Sequence, residues 1–201
     1  MPGPSDTKLK LLEATLELIS EKGYLGATTR EIAQRAGVSE LTLFRKFEKK
    51  EKLFEEVLKT QTFLPLLRET VIEVEDLEPA EALEMIGIRY LQTLKERKMF
   101  VKIVLSELNT YPEKVRNIQM QFVREMEGTL QGYLEELQKS GKLRVVSLEA
   151  AARTFLRMLF SFFILEEIIK DQNISSKTLK KTVREVVDIF MYGIVSYPVT
   201  G

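Results

Sequence analysis

No feature of this 201-residue chain restricts its fold more than Gly37-Val38-Ser39, which separates two short amphipathic segments. Upstream, Thr28 and Thr29 offer N-cap oxygens, and Ile32, Ala33 and Ala36 recur at helical spacing while Arg30, Glu31, Gln34 and Arg35 face outward. Downstream, Ser39 suits the N-cap of a helix over 40–47, in which Leu43 and Phe47 lie four apart on one face. A glycine between two such helices lets the chain reverse abruptly, and Val38 is expected to drop into the core they share. The segment reads as a helix-turn-helix.

The rest of the pattern is helical as well. Leu9, Leu11, Leu12, Ala14, Leu16, Leu18 and Ile19 predict a leading helix over 6–22, with Asp6 or Ser5 as its cap and Gly23 as a left-handed stop before a short connection, 24–26. From Lys50 a fourth helix runs until Pro65 forces a kink or break between about Thr62 and Pro65, and helix resumes to Val74. Further helices are expected over 79–97, 99–109, 113–139 (ending at Gly141), 147–171 (capped by Ser147) and 176–197 (capped by Ser175 and stopped by Pro198). The expected fold is all-α: a three-helix helix-turn-helix head over 1–50, and a helical ligand-binding and dimerisation domain over 51–201.

Composition removes most catalytic chemistry. Without cysteine or histidine there is no thiolate nucleophile, no Ser-His-Asp or Cys-His pairing and no Cys-based zinc site, and no glycine-rich phosphate loop occurs. The chain is therefore read as no enzyme, with no cofactor and no metal; an enzyme working through Glu107 or Tyr111 is the remotest class. The N-terminal residues lack the basic and apolar stretches of a signal peptide, which gives a cytoplasmic expectation. The most apolar window, Phe155 to Ile169, is interrupted by Arg157, Glu166 and Glu167 before it reaches the length of a membrane span.

Thr28-Thr29-Arg30-Glu31-Ile32-Ala33, Ala36-Gly37-Val38-Ser39, Thr42-Leu43-Phe44-Arg45-Lys46-Phe47 and Lys50-Glu51-Lys52-Leu53-Phe54, following a helix that closes on Gly23-Tyr24, together resemble the TetR family of bacterial regulators over about residues 8 to 58. The resemblance implies that Thr29 and Lys50 meet phosphates at helix N-termini, where unpaired amides and the positive dipole end favour an anion. It implies that Arg30 reaches a base edge and that Glu40, Leu41, Thr42 and Lys46 enter the major groove, with Phe44 and Arg45 on the same DNA-binding segment. Phe44 departs from the family's usual tyrosine, so a phenolic phosphate contact is lost; Lys46 stands where histidine is frequent. Charge is balanced, 30 basic against 30 acidic residues, with the basic bias gathered in the segment from Leu41 to Lys52. For each lysine the alternative is a solvated helix face.

The same resemblance implies that the last two helices pair with their twofold mates as a four-helix bundle. Phe155, Leu159, Phe162, Phe163, Val187, Phe190, Met191 and Ile194 are the interface candidates, each with intramolecular core as its alternative. A ligand pocket is also implied, with Met85, Tyr90, Met99, Phe100, Asn109, Gln119, Phe122 and Met126 as candidates to line it or to form core. The resulting expectation is a homodimeric repressor that binds a palindromic DNA operator and is released by a small, largely apolar effector. The alternative is a helical small-molecule-binding or adapter protein that has lost DNA binding.

Overall fold

The computed structural model describes residues 4–107, 111–143 and 146–194. Ten α-helices follow one another among these residues: α1 (Pro4–Gly26), α2 (Thr29–Arg35), α3 (Glu40–Phe47), α4 (Lys50–Gln61), α5 (Leu64–Glu73), α6 (Pro79–Glu96), α7 (Lys98–Glu107), α8 (Glu113–Lys139), α9 (Leu148–Phe163) and α10 (Ser176–Ile194). No strand occurs among the described residues. The chain divides into two compact units, one of residues 1–62 and 99–122 and the other of 63–98 and 123–201.

In the first unit, α1 buries Leu11, Leu12, Ala14, Leu18 and Ile19, whereas Leu9 is exposed, so the inward face sits further round the helix than the predicted stripe. Because α1 already begins at Pro4, Asp6 belongs to its first turn and bonds Lys10 instead of acting as cap. Gly23 (φ 74°, ψ 172°) breaks the helix in a region essentially restricted to glycine, and 24–26 continue as one more helical turn instead of a coil connection.

A full capping box starts α2: the Glu31 amide donates to Thr28 Oγ1, and the Glu31 carboxylate accepts from the Thr28 amide. Lys22 adds an ion pair at 2.6 Å from α1. The Lys22 ammonium, then the Thr28 hydroxyl and amide, hold the Glu31 carboxyl down at about 2, against an ordinary 4.5. A folded value below the unfolded one stabilises the head above about pH 4.5, and that contribution disappears as pH falls toward 2. Melting followed by circular dichroism is accordingly expected to show a falling Tm across this window, less steeply in Glu31→Gln. An identical slope in the variant would exclude Glu31 as a source. Arg35 completes the tie, reaching Glu21 at 2.9 Å and Glu17 at 3.2 Å on α1.

The turn forms as glycine there requires. Gly37 has φ 69°, its amide donates to the Gln34 carbonyl, and Val38's amide donates to that of Ala33, the reciprocal closure that ends α2. Val38 is only half-buried; Ile32, Ala33, Leu43, Phe47, Leu53 and Phe54 fill the shared core in its place. Each large apolar side chain fully buried here contributes about 1.5–3 kcal/mol. The break expected near Pro65 falls at Thr62 and Phe63, and Pro65 occupies the first turn of α5, where its missing amide costs nothing.

In the second unit, α6 runs against α9 and α10. At Gly87 the approach is so close that a β-carbon would stand 2.8 Å from Val183 Cγ1 and 3.2 Å from Leu159 Cδ1. Helix α9 is not the single α-helix expected over 147–171: from Ile164 to Ile169 it widens into a π-helix. Within that segment Glu167 is only 1% exposed. Its carboxylate accepts from Lys98 Nζ at 3.0 Å and from the Ile174 amide at 2.8 Å, Lys95 Nζ stands 4.0 Å away, and Lys95 donates to the Ile174 carbonyl. A buried carboxylate is thus matched by two ammonium groups and a backbone donor.

Candidate nucleic-acid interface

The local chemistry of α3 decides what it presents. Ser39 Oγ accepts from the Thr42 amide at 3.2 Å and lies 2.8 Å from Thr42 Oγ1, which fixes the helix start and engages the Thr42 hydroxyl there. With Leu43 and Phe47 turned into the core, Leu41, Phe44, Arg45 and Lys46 are left on the exposed side, and Leu41 is 62% exposed. An apolar side chain so exposed on a polar helix is suited to contact with a methyl-bearing or aromatic edge.

Cations surround this helix. Arg30, Arg45 and Lys49 are exposed and form no ion pair among the described residues. Lys49 is also the N-cap residue of α4, and its side chain makes no capping bond to the amides of the first turn. The positive end of a helix dipole with an adjacent cation favours an anion such as phosphate.

Two expected contacts are arranged differently. The Lys50 ammonium is turned into the head: it donates to the Tyr24 carbonyl and lies 4.3 Å from the centre of the Tyr24 ring. Tyr24 in turn packs edge-on against Phe54 at 5.0 Å and Tyr111 at 5.7 Å, so Lys50 is seated on an aromatic cluster instead of reaching into solvent. The Thr29 hydroxyl donates to Glu40 Oε1 at 2.7 Å, committing its one proton to a neighbouring side chain instead of a phosphate. Sequence reasoning had Tyr24 in hand, beside the helix-breaking Gly23, and missed its part as the seat of Lys50.

The eight pocket candidates are divided. Tyr90, Met85 and Met126 belong to the second unit, where Tyr90 is buried with its ring 5.1 Å from that of Phe63 and its phenol is pushed up by burial. Met99, Phe100, Gln119 and Phe122 belong to the first. Phe100 and Phe122 are core, Met99 is 65% exposed, and the buried Gln119 amide has no hydrogen-bond partner on either atom among the described residues. Asn109 lies outside the described residues.

Of the dimer candidates, Phe155, Leu159, Phe163, Val187 and Phe190 are buried inside the single subunit, where α6, α9 and α10 cover one another. They are intramolecular core and have no surface left to offer a partner. Phe162 and Met191 are half-buried, and the Ile194 side chain lies outside the described residues. What α9 and α10 leave open is a shallow apolar groove that includes Met158, Phe162, Leu165 and Val186, flanked by Arg153 and Arg157. Ile189 on α10 is exposed as well.

Among the described residues no cluster of acidic side chains could hold a metal ion, and no helix is long and apolar enough to cross a membrane. Residues 11–57 match the family model for bacterial regulatory proteins of the tetR family, and residues 81–193 match that for the C-terminal domain of AefR-like transcriptional repressors. The HTH-type transcriptional regulator YvkB of Bacillus subtilis (strain 168) is 28% identical over 188 residues, 94% of this chain and 97% of that protein. A transcriptional regulator of the TerR/AcrR family from Aquifex aeolicus VF5 superposes with a TM-score of 0.68 at 28% identity, covering 91% of this chain and 98% of its own. The Bacillus subtilis regulator FadR, solved in complex with stearoyl-CoA, shares the fold at a TM-score of 0.71 and 19% identity over 89% of this chain and 96% of its own. Its head and its body each matching a regulator model, the chain belongs to the TetR family of bacterial transcriptional regulators, a family of regulators and not of enzymes.

Proposed function

We propose that the protein is a homodimeric repressor whose two heads bind a palindromic operator and which is released by a small, largely apolar effector held in the helical body. The observation that carries the reading is the presentation of α3: a serine-capped helix with Leu41, Phe44 and Arg45 exposed, flanked by the cations Arg30 and Lys49, which form no ion pair among the described residues. Such a helix fits a major groove while its flanks meet the phosphates on either side. The repressor sense is supported by the AefR-like repressor model over the body, and the apolar effector by FadR's stearoyl-CoA.

Dimerisation is supported by the apolar groove of α9 and α10. A second copy laid across it would cover Met158, Phe162, Leu165 and Val186 and, beside it, Ile189, in an isologous contact. This keeps Phe162 from the set expected from sequence and otherwise uses the outer face of the two helices.

Release requires the effector to bind better to a conformer whose heads no longer match the operator spacing. The chain passes between the two compact units at the α4–α5 break, at the start of α7 between Lys98 and Met99, and again within α8, which is continuous from Glu113 to Lys139, so any of the three links can carry the change. Selection of random duplexes by the purified protein is expected to enrich a palindrome with half-sites roughly one helical turn, about 34–36 Å, apart or at a modestly different spacing. A long-chain acyl-CoA is the first effector to titrate against the complex. Absence of any enriched duplex at low and moderate salt would transfer the protein to the ligand-binding or adapter class.

A further inference from the structure

We infer that Glu40 reads a cytosine in each half-site by accepting a hydrogen bond from its N4 amino group, with Thr29 as the residue that positions the carboxylate; this rests on the head being the DNA-reading element and adds the base it selects. Glu40 is the first residue of α3 and is half-buried instead of flaring into solvent. Its Oε1 accepts from Thr29 Oγ1 at 2.7 Å, and Thr29 is itself fixed as the first residue of α2, directly after the Thr28 cap. The bond ties the starts of the two helices together and removes much of the rotamer freedom a surface glutamate would otherwise lose on binding.

The identity of its partner matters. Glu17, Glu21 and Glu31 are each paired with a cation, whereas Glu40 is held by a neutral hydroxyl and forms no ion pair among the described residues. It therefore brings an uncompensated negative charge to a surface whose cations suit phosphate. A carboxylate in that position repels the backbone and is tolerated only where a donor on a base edge meets it.

The major groove offers two such donors, adenine N6 and cytosine N4. Adenine's amino group lies between N7 and the thymine O4, both acceptors that repel a carboxylate. Cytosine's has an acceptor, guanine O6, on one side only. Guanine and thymine present acceptors and no donor, so Glu40 opposes both. One bond to Thr29 leaves Oε2 and the second lone pair of Oε1 for the base.

The test is duplex selection with the full-length protein, Glu40→Gln and Thr29→Val, the selected pools being compared position by position. The wild type is expected to specify cytosine at one position of each half-site. Glu40→Gln should lower that preference by about 5- to 30-fold and move it toward adenine, whose N6 and N7 a glutamine amide can bond together. Thr29→Val, which keeps the shape and loses the hydroxyl, should relax the same position and leave the others unchanged. An enriched operator whose preferences are the same in Glu40→Gln, or whose altered position specifies a base other than cytosine, overturns the inference and leaves the regulator reading standing. A wild type that enriches nothing overturns both.

Discussion

Alanine at both Arg45 and Lys49 is expected to reduce operator affinity by roughly a thousandfold at about 0.15 M salt without lowering the melting temperature. Each cation that meets a phosphate releases counterions, which makes log K fall by about 0.9 per decade of salt for each contact. Two positions in each of two heads make four contacts, so the salt slope should shrink by about 3.6, the thousandfold loss being the same quantity referred to 1 M salt. Stability should hold because both side chains are exposed and have no ion-pair partner to lose among the described residues. Lys50→Ala is the instructive contrast. Its ammonium sits against the Tyr24 ring and carbonyl, so its removal should lower the head's stability by about 1–2 kcal/mol and leave the slope nearly unchanged. Fluorescence anisotropy across a salt series, beside thermal melts, measures both quantities. A double variant with the wild-type slope would remove Arg45 and Lys49 from the phosphate contacts, and a reduced slope in Lys50→Ala would show that its side chain swings out on binding.

The contrast between those lysines indicates what a sequence can disclose. Capped starts and glycine stops were legible because they are local: Thr28, Ser39, Ser147 and Ser175 each bond an amide three residues on, and Gly37 and Gly141 take positive φ where the pattern ends. The outward phase of Leu41, Phe44 and Arg45 follows from the inward phase of Leu43 and Phe47. What escaped depends on partners distant in the chain. Lys50 finds Tyr24, and Thr29 finds Glu40, only after the head has closed. The all-round apolar character of Phe155 to Ile169 signalled that every side must be covered. It could not signal that the near side is covered by α6, whose Gly87 admits Val183 at 2.8 Å from the β-carbon position, a distance a β-carbon does not permit, and Leu159 at a tight 3.2 Å. For that reason five of the eight interface candidates from sequence became core, while Phe162 stays on the surface left for a partner, beside Met158 and Leu165.

Glu167 is the residue whose loss should most damage the body. It was visible only as an interruption of an apolar run, yet its carboxylate is almost fully enclosed with Lys98 at 3.0 Å and the Ile174 amide at 2.8 Å. Replacing one member of a fully buried charged set costs about 3–5 kcal/mol because the remaining charge is stranded. Here Lys95 and Lys98 are partly exposed and can turn toward water, so the larger part of the penalty falls on the Ile174 amide. Glu167→Ala is therefore expected to cost about 2–3 kcal/mol, or roughly 5–10 °C in Tm for a chain of this size. Glu167→Gln should recover much of this, since its amide oxygen can still accept from the Ile174 amide. High salt should affect the wild type little, because an enclosed pair is weakly screened. The π-helical register from Ile164 to Ile169 is then explained as the geometry that brings this one carboxylate inward, between lysines on one side and the turn into α10 on the other. A Tm for Glu167→Ala within 1 °C of wild type, on the order of the scatter for an exposed substitution, would mean that the cluster is incidental to stability.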